Sequence, residues 1–275
     1  MRLATSFGRG FNLVRSNEPL MNDQLQRFVP SIFAEDKHDS RSERYTYIPT
    51  IQILEGLKKE GFQPFYAAQS RVRDETNKDH TKHMIRLRHA SQIAAQEANE
   101  IILVNSHNGT SSYQMLAGVF RFVCANGMVC GDSMNDIRIP HKGDILNQVI
   151  ASAFNVLENF DMVNDQMAGM KTLVLDEGEQ QAFAKAALTL KYDDADKPAP
   201  ITENDLLRLH RAADNSADLW TTFNRVQENM IQGGLRGRSA TGKPIRTRPI
   251  TGIDQNVKIN RALWTLAEEM KKLKA

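Results

Sequence analysis

The sequence predicts an α+β protein, mainly an antiparallel sheet in the N-terminal half followed by a helical C-terminal half. Three observations carry that expectation. Short β-type runs follow one another between residues 62 and 140 with turn residues between them, and links this short favour antiparallel pairing because parallel strands need long crossovers. From Asp144 onward the apolar period becomes helical, with Ile145, Val149, Ile150, Phe154, Val156, Leu157 and Phe160 recurring at helix spacing. A chain of 275 residues that is 41% hydrophobic is long and apolar enough to bury a full core.

The elements follow in order. Residues 1–30 read as an irregular arm holding one short helix, from the capping residue Asn22 to Phe28, stopped by Pro30. The charged stretch 35–43 reads as an exposed loop and 44–48 as a strand. Thr50 is a plausible N-cap for a helix through Ile53, Leu54 and Leu57 to a stop at Gly61. Strands are expected at 62–74, 81–89, 100–106, 113–125, 128–130 and 137–140, with turns at 74–79, 91–99, 107–109 and Asn126-Gly127. A long helix starts near Asp144, and further helices fit 176–190, 203–213, 217–230 and 257–274. The acidic, proline-bearing stretch 193–200 is a surface loop, and 235–256 reads as a mobile basic loop. This gives an arm (1–30), a β-rich core with one helix (31–141), a helical region packed on the sheet (142–230), and a basic loop with a final helix (231–275).

Several function classes are disfavoured. No apolar run is long enough to cross a bilayer, and the first residues lack a secretory leader, so the expected location is cytoplasmic, with no membrane partner. The two cysteines, Cys124 and Cys130, flank Asn126-Gly127. Read as a two-residue hairpin, that register sends them to opposite faces, so the expectation is buried thiols rather than a disulfide. Neither they nor the seven histidines make a metal-ligand spacing, so no metal and no cofactor is implied. The loop 105–112 crowds serines around His107, but without an elbow motif or a distant acid it reads as a turn-closing loop. No catalytic residue is assigned.

Charge is the informative feature. The formal net charge of +2 divides into +4 over residues 1–90, −9 over 91–230 and +7 over 231–275. A polyanion is drawn to the ends and repelled by the middle. Arg236, Arg238, Lys243, Arg246 and Arg248 lie among Gly, Ser and Thr with no acid before Asp254. Forked guanidinium donors match phosphate oxygens, and glycines would let backbone N–H groups approach them. The run Gly237 to Lys243 spells GxxxxGK, yet Pro244 replaces the required Ser or Thr and a helix precedes it, so a nucleotide-binding P-loop is rejected.

A second basic patch is expected where Arg71 and Arg73 share a face of one strand and Lys82, Arg86 and Arg88 share a face of the next. The competing use of these cations is pairing with Glu97 or Glu100. Phe120 and Phe122, with Tyr45 and Tyr47, are candidates to stack bases, although phenylalanines on a central strand are more often core. The nucleic-acid-binding set is therefore Arg236, Arg238, Lys243, Arg246, Arg248, Arg71, Arg73, Arg86 and Arg88, with DNA favoured as partner. The competing partners are a second copy of the chain and a host protein that meets the acidic span 161–205.

Five stretches carry a family resemblance: 41–50 (RSERYTYIPT), 69–73 (QSRVR), 120–131 (FRFVCANGMVCG), 140–144 (PHKGD) and 227–231 (QENMI) followed by the Gly-Arg-Ser loop. Together they resemble the phage and plasmid-like proteins of the domain of unknown function 932 family, especially its enterobacterial prophage branch, UPF0380. The resemblance spans nearly the whole chain and implies the context of a mobile element, where accessory proteins act in recombination, replication or evasion of host defence. In outline, a basic antiparallel sheet followed by helices is also similar to single-strand annealing recombinases, an analogy of fold alone.

Overall fold

A computed structural model gives the fold and describes residues 4–7, 11–36, 47, 49–70, 75–92, 97–109, 111, 113–122, 126–130, 137–139, 143–193 and 198–274. In chain order the principal elements are β1 (Ala4–Phe7), β2 (Phe11–Arg15), α1 (Asn22–Phe28), α2 (Thr50–Lys59), β3 (Phe62–Ser70), β4 (His83–His89), β5 (Glu97–Asn105), β6 (Tyr113–Arg121), β7 (Asn126–Val129), β8 (Ile137–Ile139), α3 (Ile145–Glu158), α4 (Phe160–Thr172), α5 (Glu177–Lys191), α6 (Glu203–Leu206), α7 (Leu219–Gln232), β9 (Arg236–Arg238), β10 (Pro244–Arg246) and α8 (Ile253–Lys274). They form two compact units, one of residues 1–120 and 134–160, the other of residues 121–133 and 161–275.

The first unit is built on a sheet in the order β1-β2-β3-β4-β5-β6, with β8 also paired to β6. Pairing is antiparallel from β1 through β5 and between β6 and β8. The strands expected between 62 and 140 are present among the described residues, the strand expected at 44–48 lies outside them except for Tyr47, which is in no strand, and the expected arm is corrected. Residues 4–7 and 11–15 are strands, because β2 finds its partner far along the chain, with Phe11 opposite Ser70 and Arg15 opposite Tyr66. A bulge between Pro64 and Tyr66 sits where proline supplies no N–H to the ladder. Ile53, Leu54 and Leu57 of α2 are fully buried, as their spacing predicts. Gly56 lets α3 approach, since a Cβ there would lie 2.9 Å from Leu146 Cδ1.

Thr50 is the first helical residue rather than the cap, which falls to Pro49. Its hydroxyl is the centre of a fully buried polar network whose proton order the partners dictate. Gln69 Oε1 accepts from Ser31 N (3.1 Å) and its Nε2 donates to Lys78 O (2.6 Å), so the amide has one orientation. Ser31 Oγ spends its proton on Gln69 Oε1 (3.0 Å) and therefore accepts from His83 Nδ1 (3.0 Å), which also faces Thr81 O (3.2 Å). With Nδ1 the donor, His83 Nε2 accepts from the Thr50 hydroxyl at 2.9 Å. The two Thr50 lone pairs then receive Asn105 Nδ2 (3.1 Å) and His107 Nε2 (3.1 Å). Burial pushes His83 down to about 4, which keeps it neutral as this chain requires. The loop after β5 is closed by Ser111 N donating to Ser106 Oγ (2.8 Å).

In the second unit, α5 begins with a capping box, Asp176 accepting from Glu179 N and Glu179 accepting from Asp176 N, each at 2.8 Å. Asp218 caps α7 through Thr221 N (2.8 Å). The amphipathic α7 packs against α8, where Trp220 and Phe223 meet Trp264 edge-on at 6.1 Å and Gln227 donates to Asn260 Oδ1 at 2.7 Å. Three expectations are corrected here. The helix expected over 203–213 stops at Leu206. Asn126 and Gly127 stand at the start of β7 rather than in a two-residue turn; Cys130 is buried, and Cys124 lies outside the described residues. The stretch 235–256 is not an irregular loop, because it contains the antiparallel β9–β10 hairpin and the first turn of α8.

Candidate anion-binding cleft

The hairpin arises from backbone needs rather than apolar alternation. Gly237 has no room for a side chain, since a Cβ would lie 2.1 Å from Pro200 O, and the neighbouring Arg238 N donates to that carbonyl at 2.9 Å. The turn is closed by Gly242 N donating to Ser239 O (2.8 Å), with Gly242 at φ +77°, where L-residues are strained. The GxxxxGK run is thus a strand, a turn and the approach to a second strand, not a loop leading into a helix. Arg246 lies directly opposite Arg236, and Arg238 opposite Pro244, so the three arginines share one face while Gly237 and Ile245 take the other.

That face borders a cleft of about 580 Å³ lined by Arg208, Leu209, His210, Gly233, Gly234, Leu235, Arg236 and Arg246. Its opposite wall, residues 208–210, is held by α7. Asn229 Nδ2 donates to Leu206 O (2.9 Å) and Arg208 O (3.0 Å), taking carbonyls that a continued α6 would have used. This leaves Asn229 Oδ1 as an acceptor, so at 2.7 Å it receives an N–H from His210 Nε2. Arg211 grips Glu228 through two bonds (2.9 and 2.5 Å) and Asp214 at 2.6 Å, and Asp214 also receives Arg121 at 2.6 Å. Glu228 and Asp214 are thereby neutralised internally.

The cleft cations are not. Arg208, Arg236, Arg238, Lys243, Arg246 and Arg248 are all exposed. Among the described residues none of the six lies within ion-pair distance of a carboxylate. Arg246 Nη1 donates to Gly234 O (3.1 Å) and Arg238 Nη1 to Gly242 O (3.2 Å), which fixes each guanidinium while leaving most of its five donors open. In α8, by contrast, Lys272 pairs with Glu269 at 2.6 Å and Lys274 pairs with Glu179. Part of the positive charge of the C-terminal stretch is therefore spent on the helix, at Lys272 and Lys274, and that of the hairpin is unspent. Like charges set directly opposite one another across a ladder are destabilising unless a counterion sits between them.

Of the glycines the sequence offered to an anion, Gly242 gives its N–H to Ser239 O at 2.8 Å, and the amides on the cleft floor are committed as well. Gly233 N donates to Asn229 O (3.3 Å), Gly234 N to Thr247 O (2.8 Å) and Leu235 N to Thr247 Oγ1 (3.1 Å), so the cleft floor is already satisfied. Any anion here meets side chains.

The second basic patch fares differently. Arg86 and Arg88 are 6% and 2% exposed, and Glu100 pairs with both, at 3.2 and 2.8 Å. The Arg88 guanidinium is also stacked between Phe65 and Phe120, 4.3 and 4.2 Å from the ring centroids. Burial lowers its proton affinity and Glu100 opposes that. Neither arginine offers a surface to phosphate, because the cross-strand carboxylate is the counterion. Arg71, Arg73 and Tyr45 lie outside the described residues. Tyr47 donates its hydroxyl to Ala34 O and sets its ring edge-on to His107.

Sequence reasoning identified the hairpin cations and missed Arg208, His210 and Asn229. Asn229 lies in the QENMI stretch that marks the family resemblance, and its role in fixing the 208–210 wall gives that stretch a physical meaning. The family profile described as "Domain of unknown function (DUF932)" matches residues 37–264. The chain belongs to the DUF932 family. Within it, the chain is 55% identical to the UPF0380 protein YafZ of Escherichia coli (strain K12) and 54% identical to the UPF0380 protein YfjQ of the same strain. Each match runs over 269 residues and covers 98% of this chain and 97% of the relative. No solved structure matches this DUF932 chain. Among its described residues no helix is long and apolar enough to cross a membrane, and no group of three or more His, Cys, Asp or Glu is placed to hold a metal ion.

Proposed function

We propose that this DUF932 protein is a nucleic-acid-binding accessory protein of a plasmid or prophage, holding strand phosphates with Arg208, Arg236, Arg238, Lys243, Arg246 and Arg248. The observation that carries the reading is the directly opposed Arg236 and Arg246 at the rim of a cleft, exposed and without carboxylate partners among the described residues. Like charges set across a ladder are an unfavourable arrangement that a polyanion relieves. DNA is the favoured partner, and the role that fits is binding or annealing of single strands during recombination. Arg86 and Arg88 take no part.

The test is affinity for single-stranded and duplex DNA by fluorescence anisotropy across a range of salt. For six phosphate contacts on a single strand, log K should fall against log salt with a slope of about −4.2. Absence of binding, or binding indifferent to salt, would refute the reading.

A further inference from the structure

The cleft has the volume of a small-ligand site, and that suggests more than a track for a strand. We infer that it is a site for a phosphomonoester, the terminal phosphate of a nucleic-acid strand or of a mononucleotide; this rests on the nucleic-acid reading above.

Three features support the choice. First, the space of about 580 Å³ falls within the roughly 300–1,000 Å³ of small-ligand pockets, whereas a groove that follows a backbone runs on past its contacts. Second, cations come from both walls: Arg208 from one, Arg236 and Arg246 from the other. A phosphomonoester carries about 1.5–2 negative charges at neutral pH and three terminal oxygens. A phosphodiester brings one charge and two free oxygens, so the dianion matches three unspent guanidinium groups better.

Third, both walls are fixed before any ligand arrives. Asn229 pins the backbone at Leu206 and Arg208 and holds His210 by Nε2, while Gly234 O holds Arg246. The committed amides of Gly233, Gly234 and Leu235 mean that recognition falls to the guanidinium forks. The lining holds no Phe, Tyr or Trp on which a base stacks, and its one ring, His210, is tied to Asn229, so the phosphate rather than the base is the recognised group.

The experiment compares labelled single-stranded oligonucleotides of one sequence bearing a 5′-phosphate, a 3′-phosphate or hydroxyls at both ends. A nucleoside monophosphate and inorganic phosphate serve as competitors at constant ionic strength. The expected result is that at least one phosphorylated end binds about tenfold more tightly than the hydroxyl form. The nucleoside monophosphate should abolish that advantage, and R236Q/R246Q should lose it while retaining the fold by circular dichroism; binding of the hydroxyl form should weaken as well, its slope of log K against log salt becoming shallower by about 1.4. Both arginines are exposed, so the substitution leaves the core intact. Equal affinities for all three oligonucleotides would overturn the inference and leave general DNA binding standing. An end preference that survives R236Q/R246Q would also overturn it. Failure of every oligonucleotide and of the nucleotide to bind would overturn both readings.

Discussion

Lowering the pH should destabilise the first unit through His83. Its ring is held neutral, donating from Nδ1 to Ser31 Oγ and accepting at Nε2 from Thr50, and burial pushes it down to about 4 from an ordinary 6.5. Between those values the unfolded chain binds a proton that the folded chain refuses, so stability rises with pH across this window and is lost as pH falls through it. A displacement of 2.5 units corresponds to about 3 kcal/mol, of which about 2 kcal/mol is gone by pH 5. Other groups titrate as well, so the comparison is urea denaturation of the wild type against His83→Gln at several pH values from 7.5 to 4.5. The wild type should lose about 3 kcal/mol more than the variant over that range. A pH dependence identical in the two proteins, or a His83 ring that titrates near 6.5 by NMR, would refute the proton order assigned to the network.

Three further outcomes follow from named contacts. Glu100→Gln leaves Arg86 and Arg88 buried beside a neutral amide and should cost about 3–5 kcal/mol in urea denaturation. Gly237→Ala forces a Cβ against Pro200 O; it should lower stability by about 1–3 kcal/mol and weaken DNA binding together. Asn229→Ala removes the bonds to Leu206 O, Arg208 O and His210, costing about 1–3 kcal/mol, and hydrogen exchange should rise in residues 206–211.

Most of the fold was legible because its strongest signals are local. The helical apolar period begins at Ile145, where α3 begins, and the strands after Phe62 are bounded by turn residues. What escaped depends on distant partners. The strand at Phe11–Arg15 is short, and its ladder is completed by residues 66–70, so nothing nearby announces it. The helix expected past Leu206 is cut by an amide on α7 more than twenty residues later. The hairpin lacks apolar alternation because the position facing inward is Gly237, chosen for the absence of a side chain. In the same way the charge of the C-terminal stretch was visible, but which cations were already neutralised was not. Arg88 finds Glu100 across strands and Lys274 finds Glu179 across helices, while Arg236 and Arg246 find each other.

The central claim is that the hairpin guanidinium groups meet phosphates. The most direct measurement is the salt dependence of single-stranded DNA affinity for the wild type and for the variant with Arg236, Arg238, Arg246 and Arg248 all changed to Gln. Each lost phosphate contact should make the slope of log K against log salt shallower by about 0.7, so the variant, which keeps Arg208 and Lys243, should bind weakly with a slope of about −1.4. An unchanged slope and affinity in the quadruple variant would contradict the account.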